Sequence, residues 1–221
     1  MINEDIEKNT VDASKQVKEK FKIFDGVKGG KRVLFLGNSI TLHETKPEIG
    51  WNHNWGMAAS SEQNDYVHIV LDGLKEEFGA VNYCITNVGE WELNFWKTEV
   101  LESFFASKDF GADIVVVRLG ENVNRQKLSE YDFEKYFENF VRYFTGKAEK
   151  VIITDLFWEY KELDEMIKNV CERVNGRFVT LSDLGYDNAN KALGLFEHEG
   201  VALHPGDRGM AKIAERILAA I

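Results

Sequence analysis

The stretch Ala112-Asp-Ile-Val-Val-Val-Arg-Leu119 decides the fold class of this chain. It is short, apolar and β-branched, as is typical of a parallel strand that helices cover on both faces. Four further runs of strand character lie at 32–37, 81–86, 151–155 and 177–181. Segments of helical character separate these runs, so the sequence predicts an α/β protein with a parallel sheet between two layers of helices.

The helices are predicted from their periodicity and from the residues at their ends. Ser60 and Gln63 form a capping box for a first helix that ends at Gly79. Asp207 is the predicted cap of a last helix that runs through Ile217. The other predicted helices cover 97–107, 129–145 and 161–175.

The chain has 221 residues without an internal repeat or a linker-like change in composition, which indicates one domain spanning 1–221. Apolar residues recur at roughly helical intervals between residues 4 and 24 among charged ones. We therefore expect residues 1–25 to be an N-terminal helical arm that packs on the domain. The residues that carry this pattern are Ile6, Ala13, Val17, Phe21 and Phe24.

Charge and composition narrow the classes of partner. The net charge of −10 repels phosphate, so nucleic acid and anionic membranes are disfavoured partners. No run approaches the roughly 20 apolar residues of a membrane span, and the first residues do not resemble a signal peptide. We expect a cytoplasmic protein unless a leader has been removed. Cys84 and Cys171 are predicted to be buried thiols.

Neither a metal nor another cofactor is expected. The five histidines lack a spacing such as His-Glu-x-x-His. Gly29-Gly30-Lys31 precedes the first strand instead of following it, and the chain has no glycine-rich phosphate loop after that strand. A flavodoxin-like protein that binds a nucleotide or a flavin is therefore a weak alternative.

Polar residues and glycines follow three of the predicted strands. Ser39 follows the first strand within Gly37-Asn38-Ser39-Ile40-Thr41, and Gly89 follows the second. Gly120-Glu121-Asn122 follows the third. Ligands of parallel sheets bind at the carboxyl ends of the strands, so these residues should meet at one crevice. They supply a candidate nucleophile with neutral hydrogen-bond donors, which are the parts of an oxyanion hole.

A serine becomes a nucleophile only beside a base. His204 is the candidate base, because the last loop of such a fold returns to the crevice and Pro205 restricts the backbone there.

These blocks resemble the GDSL-type, or SGNH, serine hydrolases, and they occur in that family's order between residue 32 and about residue 210. The resemblance implies a three-layer, flavodoxin-like α/β/α sandwich with a five-stranded, mainly parallel sheet. It also implies that Ser39 is the nucleophile and His204 the general base and acid. The implied oxyanion hole consists of the N–H groups of Ser39 and Gly89 and the side-chain amide of Asn122.

Three positions depart from that family's pattern. Asn38 and Val123 stand where the family usually has Asp, and Val201 stands where it has the acid of the triad. Either Glu197 or Glu199 reaches His204, or a backbone carbonyl holds the imidazole ring, or the site is weak or inactive. We favour a Ser–His dyad that a carbonyl or a displaced acid supports.

Aromatic residues follow several strands, and they indicate a pocket wall for a carbohydrate. The loop at 49–57 contributes two tryptophans, which would otherwise only anchor that loop to the core. The Glu121 side chain could contact substrate or simply lie in a solvated turn. The candidate substrate-binding residues are Trp51, His53, Trp55, Trp91, Glu121 and Trp158.

The predicted activity is hydrolysis of a short acyl ester, such as acetyl on carbohydrate, through an acyl-enzyme. A long apolar lid segment, as in lipases, is missing from the sequence. The competing prediction is a hydrolase fold that binds carbohydrate without turnover. The natural substrate and the oligomeric state do not follow from the sequence.

Overall fold

The computed structural model describes residues 20–221, and a six-stranded sheet lies at its centre. The sheet accounts for each predicted strand and adds one at its edge. The strands are β1 (Phe21–Phe24), β2 (Lys31–Gly37), β3 (Val81–Asn87), β4 (Ile114–Arg118), β5 (Lys150–Thr154) and β6 (Arg177–Val179). Their order in the sheet is β1-β3-β2-β4-β5-β6, and all neighbours are parallel except β1 and β3.

The strand β1 corrects the prediction of a helical arm for its last residues. Phe21–Phe24 pairs antiparallel with β3, and the Phe24 ring stacks on Tyr83 with 5.5 Å between the ring centroids. Cross-strand pairing outweighs the weak helical spacing of Phe21 and Phe24. The remainder of the predicted arm, residues 1–19, lies outside the described residues.

Seven α-helices surround the sheet in the described part of the chain. They are α1 (Tyr66–Phe78), α2 (Gly89–Leu93), α3 (Phe105–Asp109), α4 (Phe133–Thr145), α5 (Lys161–Arg173), α6 (Glu199–Ala202) and α7 (Asp207–Leu218). A 3-10 segment at Thr98–Phe104 leads into α3, so the helix predicted at 97–107 begins as a tighter turn.

Two predicted helix caps are wrong, and the helix predicted from residue 129 begins at Phe133, with Asp132 as its cap. The cap of α1 is Asp65, whose side chain accepts the N–H of His68, and the helix begins after the predicted capping box. Ser60 instead donates through N–H and Oγ–H to the carboxylate of Asp207. Asp207 is the first residue of α7, and the cap of that helix is Gly206.

The alternation of side chains along the strands builds two cores. Leu34, Val115 and Ile153 face one way and pack with α4 and α5. Val33, Val116 and Ile152 face the other way and pack with α1 and α7. The result is a three-layer α/β/α sandwich, as the sequence predicted. Cys84 and Cys171 are buried as free thiols.

The strand register brings three chain segments to one edge. Gly37 at the end of β2 pairs with Asn87 of β3 and with Arg118 of β4. The residues that follow each of these strands therefore lie side by side. No helix within residues 20–221 has the length and apolar character of a membrane span.

Candidate active site

Ser39 and His204 meet at this edge although 165 positions separate them in the chain. The distance from Ser39 Oγ to His204 Nε2 is 2.8 Å, within the range for proton transfer from a serine to a histidine. Ser39 follows β2 directly, and His204 lies in the turn between α6 and α7.

The second ring nitrogen of His204 contacts a backbone carbonyl. Nδ1 lies 2.6 Å from the carbonyl oxygen of Gly200, which is part of α6. Because a carbonyl only accepts, Nδ1 carries the proton, and Nε2 of the neutral ring accepts the Ser39 hydroxyl. The sequence left open whether Glu197, Glu199 or a backbone carbonyl holds the imidazole ring. In the structure the Gly200 carbonyl contacts it.

Burial lowers the pKa of His204 to about 4, because desolvation disfavours the imidazolium. The Gly200 carbonyl and the Glu121 charge raise this pKa, and the charge of Arg118 lowers it. Desolvation is the largest of these effects, so the ring is neutral over a wide range of pH.

The three predicted oxyanion donors lie around the same cleft as Ser39. Among the hydrogen bonds of residues 20–221, none uses the Ser39 N–H. The Gly89 N–H donates to Asn87 Oδ1 at 2.9 Å, so an oxyanion would have to share or displace that acceptor. Asn122 has an exposed face, and one of its amide hydrogens points to Glu92 Oε2 over 2.8 Å.

Asn38, next to the candidate nucleophile, is buried and uses its whole amide. Nδ2 donates to Glu92 Oε1 at 3.1 Å and to Glu121 Oε2 at 2.6 Å. Oδ1 accepts from Ile40 N–H and from Arg118 Nη1. An aspartate here would face two carboxylates without a donor for either, so the amide suits this site better than an acid.

Glu121 differs from its prediction, since its carboxylate belongs to the buried network behind the site. It pairs with Arg118 Nη2 and accepts the N–H of Phe157 at 3.1 Å. The Arg118 side chain is fully buried. Glu121 therefore neutralises a buried cation and is neither a substrate contact nor a solvated turn.

The cleft in front of Ser39 has a volume of about 510 Å³. Its wall combines apolar side chains with polar and charged ones. The apolar residues are Ile49, Met57, Leu93 and Val201, and the polar ones include His43, Lys46, Glu90 and His198.

Trp51 and Trp91 do not line this cleft, which corrects their assignment as substrate contacts. Their exposed fractions are 0% and 1%. Trp91 packs against Phe140 with 4.3 Å between the ring centroids, and Trp51 packs edge-on against Trp55. Burial of large aromatic surface explains both positions.

The other aromatic candidates are partly accessible. His53 stacks on Trp55 with 4.2 Å between the ring centroids, while the Trp55 indole N–H donates to the Ala59 carbonyl. Trp158 lies edge-on to the imidazole of His204, 5.3 Å between centroids. Of the predicted aromatic contacts, Trp158 is the one that touches the candidate base.

Sequence reasoning missed Gly200 and Glu92. A carbonyl partner has no signature in the sequence, whereas Glu92 is one of many glutamates and lies 30 positions from Asn122. Within residues 20–221, no three His, Cys, Asp or Glu side chains are grouped to hold a metal ion.

The sequence matches no protein-family model and no curated protein. It does share its fold with solved structures. A catalytic mutant of an acetylxylan esterase from Geobacillus stearothermophilus superimposes with a TM-score of 0.55 at 18% identity, covering 86% of this chain and 94% of that one.

Two further structures are similar. A two-domain esterase active on acetylated mannans, co-crystallised with mannopentaose, has a TM-score of 0.55 at 20% identity, covering 86% of this chain and 48% of that one. A lipolytic G-D-S-L family member from Veillonella parvula has a TM-score of 0.50 at 14% identity, covering 87% and 98%. The chain therefore has the fold of GDSL-type, or SGNH, esterases, as the sequence predicted.

Proposed function

We propose that this protein is a serine esterase that removes short acyl groups, such as acetyl, from carbohydrate. The observation that carries the proposal is the contact between Ser39 Oγ and His204 Nε2 at 2.8 Å, in the tautomer that leaves Nε2 free to accept. The fold-level likeness to esterases of acetylated xylan and mannan supports the choice of substrate class.

In the proposed reaction His204 Nε2 takes the proton of Ser39 as Oγ attacks the ester carbonyl. The oxyanion accepts hydrogen bonds from Ser39 N–H, Gly89 N–H and the Asn122 amide. His204 then protonates the leaving alcohol, and the acyl group stays on Ser39. Water attacks the acyl-enzyme with His204 as base, which releases the acid and restores the serine.

The wall of the cleft fits a small acyl group on a polar alcohol. Ile49, Met57 and Leu93 provide apolar surface for the acyl chain. Trp158 beside His204 provides an aromatic surface near the leaving alcohol. His53 and Trp55 lie outside the set of residues that line the cleft, and they are the further candidate carbohydrate contacts.

The test is hydrolysis of 4-nitrophenyl acetate and of acetylated xylo-oligosaccharides by the wild type and by Ser39→Ala and His204→Ala. Each variant should lose activity by about a thousandfold or more. Ser103→Ala, which removes an exposed serine that does not line the cleft, is the matched control and should retain full activity. Full activity in Ser39→Ala would contradict the proposal.

A carbohydrate-binding protein without turnover is the second candidate, because a carbonyl stands where a carboxylate would stabilise the imidazolium. It predicts that wild type and Ser39→Ala bind acetylated oligosaccharides equally well by calorimetry, and that neither releases acetate. Acetate release by the wild type alone excludes it.

A further inference from the structure

Glu92 is a fully buried carboxyl directly behind the candidate oxyanion hole. It belongs to α2, the short helix that begins at Gly89, and its exposed fraction is 0%. A carboxyl group in such a position is costly unless hydrogen bonds compensate for the lost water. Its partners therefore show what it does in this protein.

Within residues 20–221, every hydrogen-bond partner of the Glu92 side chain is a donor. Oε1 accepts the Gly120 N–H at 2.6 Å and Asn38 Nδ2 at 3.1 Å, with the Asn122 N–H farther away at 3.4 Å. Oε2 accepts Asn122 Nδ2 at 2.8 Å. Burial and the charge of Glu121 raise the pKa of Glu92, whereas the hydrogen bonds from Asn122, Gly120 and Asn38 lower it. Because these partners offer hydrogens and need none, the hydrogen-bond geometry fits a carboxylate.

The contact at Oε2 determines how the Asn122 amide is oriented. An asparagine amide can rotate to exchange its oxygen and its NH2 group, and only the NH2 group is useful to an oxyanion. Rotation would place the Asn122 carbonyl oxygen against a buried carboxylate, which is repulsive. Glu92 therefore keeps Asn122 Nδ2 close to Gly89, whose N–H is another candidate oxyanion donor. A Cβ built on Gly89 would lie 4.0 Å from Asn122 Nδ2.

The contacts at Oε1 connect the same carboxylate to the backbone before Asn122 and to the residue before the nucleophile. Asn38 and Gly120 follow the ends of β2 and β4, respectively, so one side chain joins the two segments that carry Ser39 and Asn122.

We propose that Glu92 is a positioning residue for the esterase reaction: its carboxylate orients the Asn122 amide as an oxyanion donor and holds it in register with Ser39. This inference rests on the proposed function. Glu92 itself does not contact the substrate and acts through Asn122.

The test is a double-mutant cycle of Glu92→Gln and Asn122→Ala, with kcat and KM measured on 4-nitrophenyl acetate. Glutamine keeps the shape but directs an NH2 group at a site where every neighbour donates. Glu92→Gln should lower kcat by about 10- to 100-fold, and Asn122→Ala by about 100-fold or more, each with KM changed less than about threefold. Glu92→Gln should cost less than about threefold more when Asn122 is already alanine.

The same loss in both backgrounds would show a general structural effect and overturn the proposal, as would wild-type kcat in Glu92→Gln. Asp113→Asn is the matched control. Asp113 accepts the Arg32 N–H at the opposite end of the sheet, so this variant loses a structural carboxylate without a change in kcat.

A second measurement decides the question if Glu92→Gln does not fold. In the nuclear magnetic resonance spectrum of the wild type, the Asn122 side-chain amide is assigned by its loss in Asn122→Ala. One of its two protons should be shifted downfield and exchange slowly with solvent, because it is donated to a carboxylate. Two protons that exchange as in a free amide would overturn the proposal. This readout does not depend on activity, so it separates a failure here from a failure of the esterase proposal.

Discussion

His204 has a backbone carbonyl at the position where a carboxylate would stabilise an imidazolium. The carbonyl of Gly200 selects the tautomer and the ring orientation, as an acid would, but it brings no full charge. Burial then dominates the pKa of the ring. The position and tautomer of His204 therefore suit it to accept a proton from Ser39. Its lowered pKa makes the protonated ring unfavourable.

This environment predicts an unusual pH profile. The base works only when neutral, so kcat/KM for 4-nitrophenyl acetate should fall as the pH drops through about 4 and should be flat between about 5 and 7. Free histidine titrates near 6.5. An acidic limb at pH 6.5 or above, measured at constant ionic strength, would show that burial does not control this group.

The contacts of the Asn38 side chain predict that its substitution lowers the stability of the protein. Asn38→Asp removes the donor that Glu92 and Glu121 share and adds a third buried carboxylate. We expect the free energy of unfolding at pH 7, measured in urea, to fall by about 3–5 kcal/mol. Asn188→Asp, on the surface beside Lys191, should be neutral. An Asn38→Asp protein as stable as the wild type would contradict this account of the buried network.

At the scale of elements, the turn after β2 sets the position of Ser39. The Gly37 backbone approaches its neighbours so closely that a Cβ there would stand 1.9 Å from Thr41 Oγ1 and 2.6 Å from the Arg118 carbonyl oxygen. Thr41 is in turn hydrogen-bonded to Tyr66 of α1 at 2.7 Å. The turn that carries Ser39 is thus packed between the end of β4 and the first turn of α1.

Gly37→Ala should therefore disturb both stability and activity. We expect a loss of about 3 kcal/mol in urea unfolding, with kcat lowered in the molecules that remain folded, because overpacking must move Thr41 or the end of β4. Gly146→Ala is the matched control, since a Cβ there meets nothing within 4 Å and φ is −57°. Equal behaviour of the two variants would refute the close packing of this turn.

The central strands could be predicted because their apolar runs are long and uninterrupted, as at Val115, Val116 and Val117. The edge strand β1 could not, because its four residues gain stability from pairing with β3 and carry little signal of their own. The start of α1 was missed since Ser60 finds a partner 147 positions away, in α7. Local patterns do not report such contacts.

The residues of the candidate site could likewise be predicted only where local sequence patterns place them. Ser39, Gly89 and Asn122 could be placed together because each follows a parallel strand, whose ends share one edge. Glu92, Arg118 and Gly200 complete the arrangement through contacts that only the folded chain brings about.

At the scale of the whole molecule, the aromatic residues divide between core and cleft. Trp91 lies within one core, surrounded by phenylalanines of α4, while Trp158 flanks His204 at the open edge. The clustering of tryptophans after the strands therefore combines two different uses, packing and contact with the site.

Two substitutions separate these uses. Trp91→Ala should lower the free energy of unfolding by about 3–5 kcal/mol, because it leaves a large cavity. Trp158→Ala should change stability by about 1 kcal/mol and lower kcat/KM on acetylated oligosaccharides by about tenfold, because the imidazole loses its neighbour. Urea unfolding and steady-state kinetics on both variants check this, and a reversed pattern would contradict the assignment of Trp91 to the core and Trp158 to the site.

The central claim is that His204 activates Ser39 for attack on an acyl group, and covalent labelling tests it most directly. The protein is incubated with a fluorophosphonate at pH 7, and the modified peptide is identified by mass spectrometry. We predict stoichiometric modification of Ser39 in the wild type and a rate at least about a hundredfold lower in His204→Ala. An unmodified Ser39 in the wild type, or equal rates in both proteins, would contradict the account.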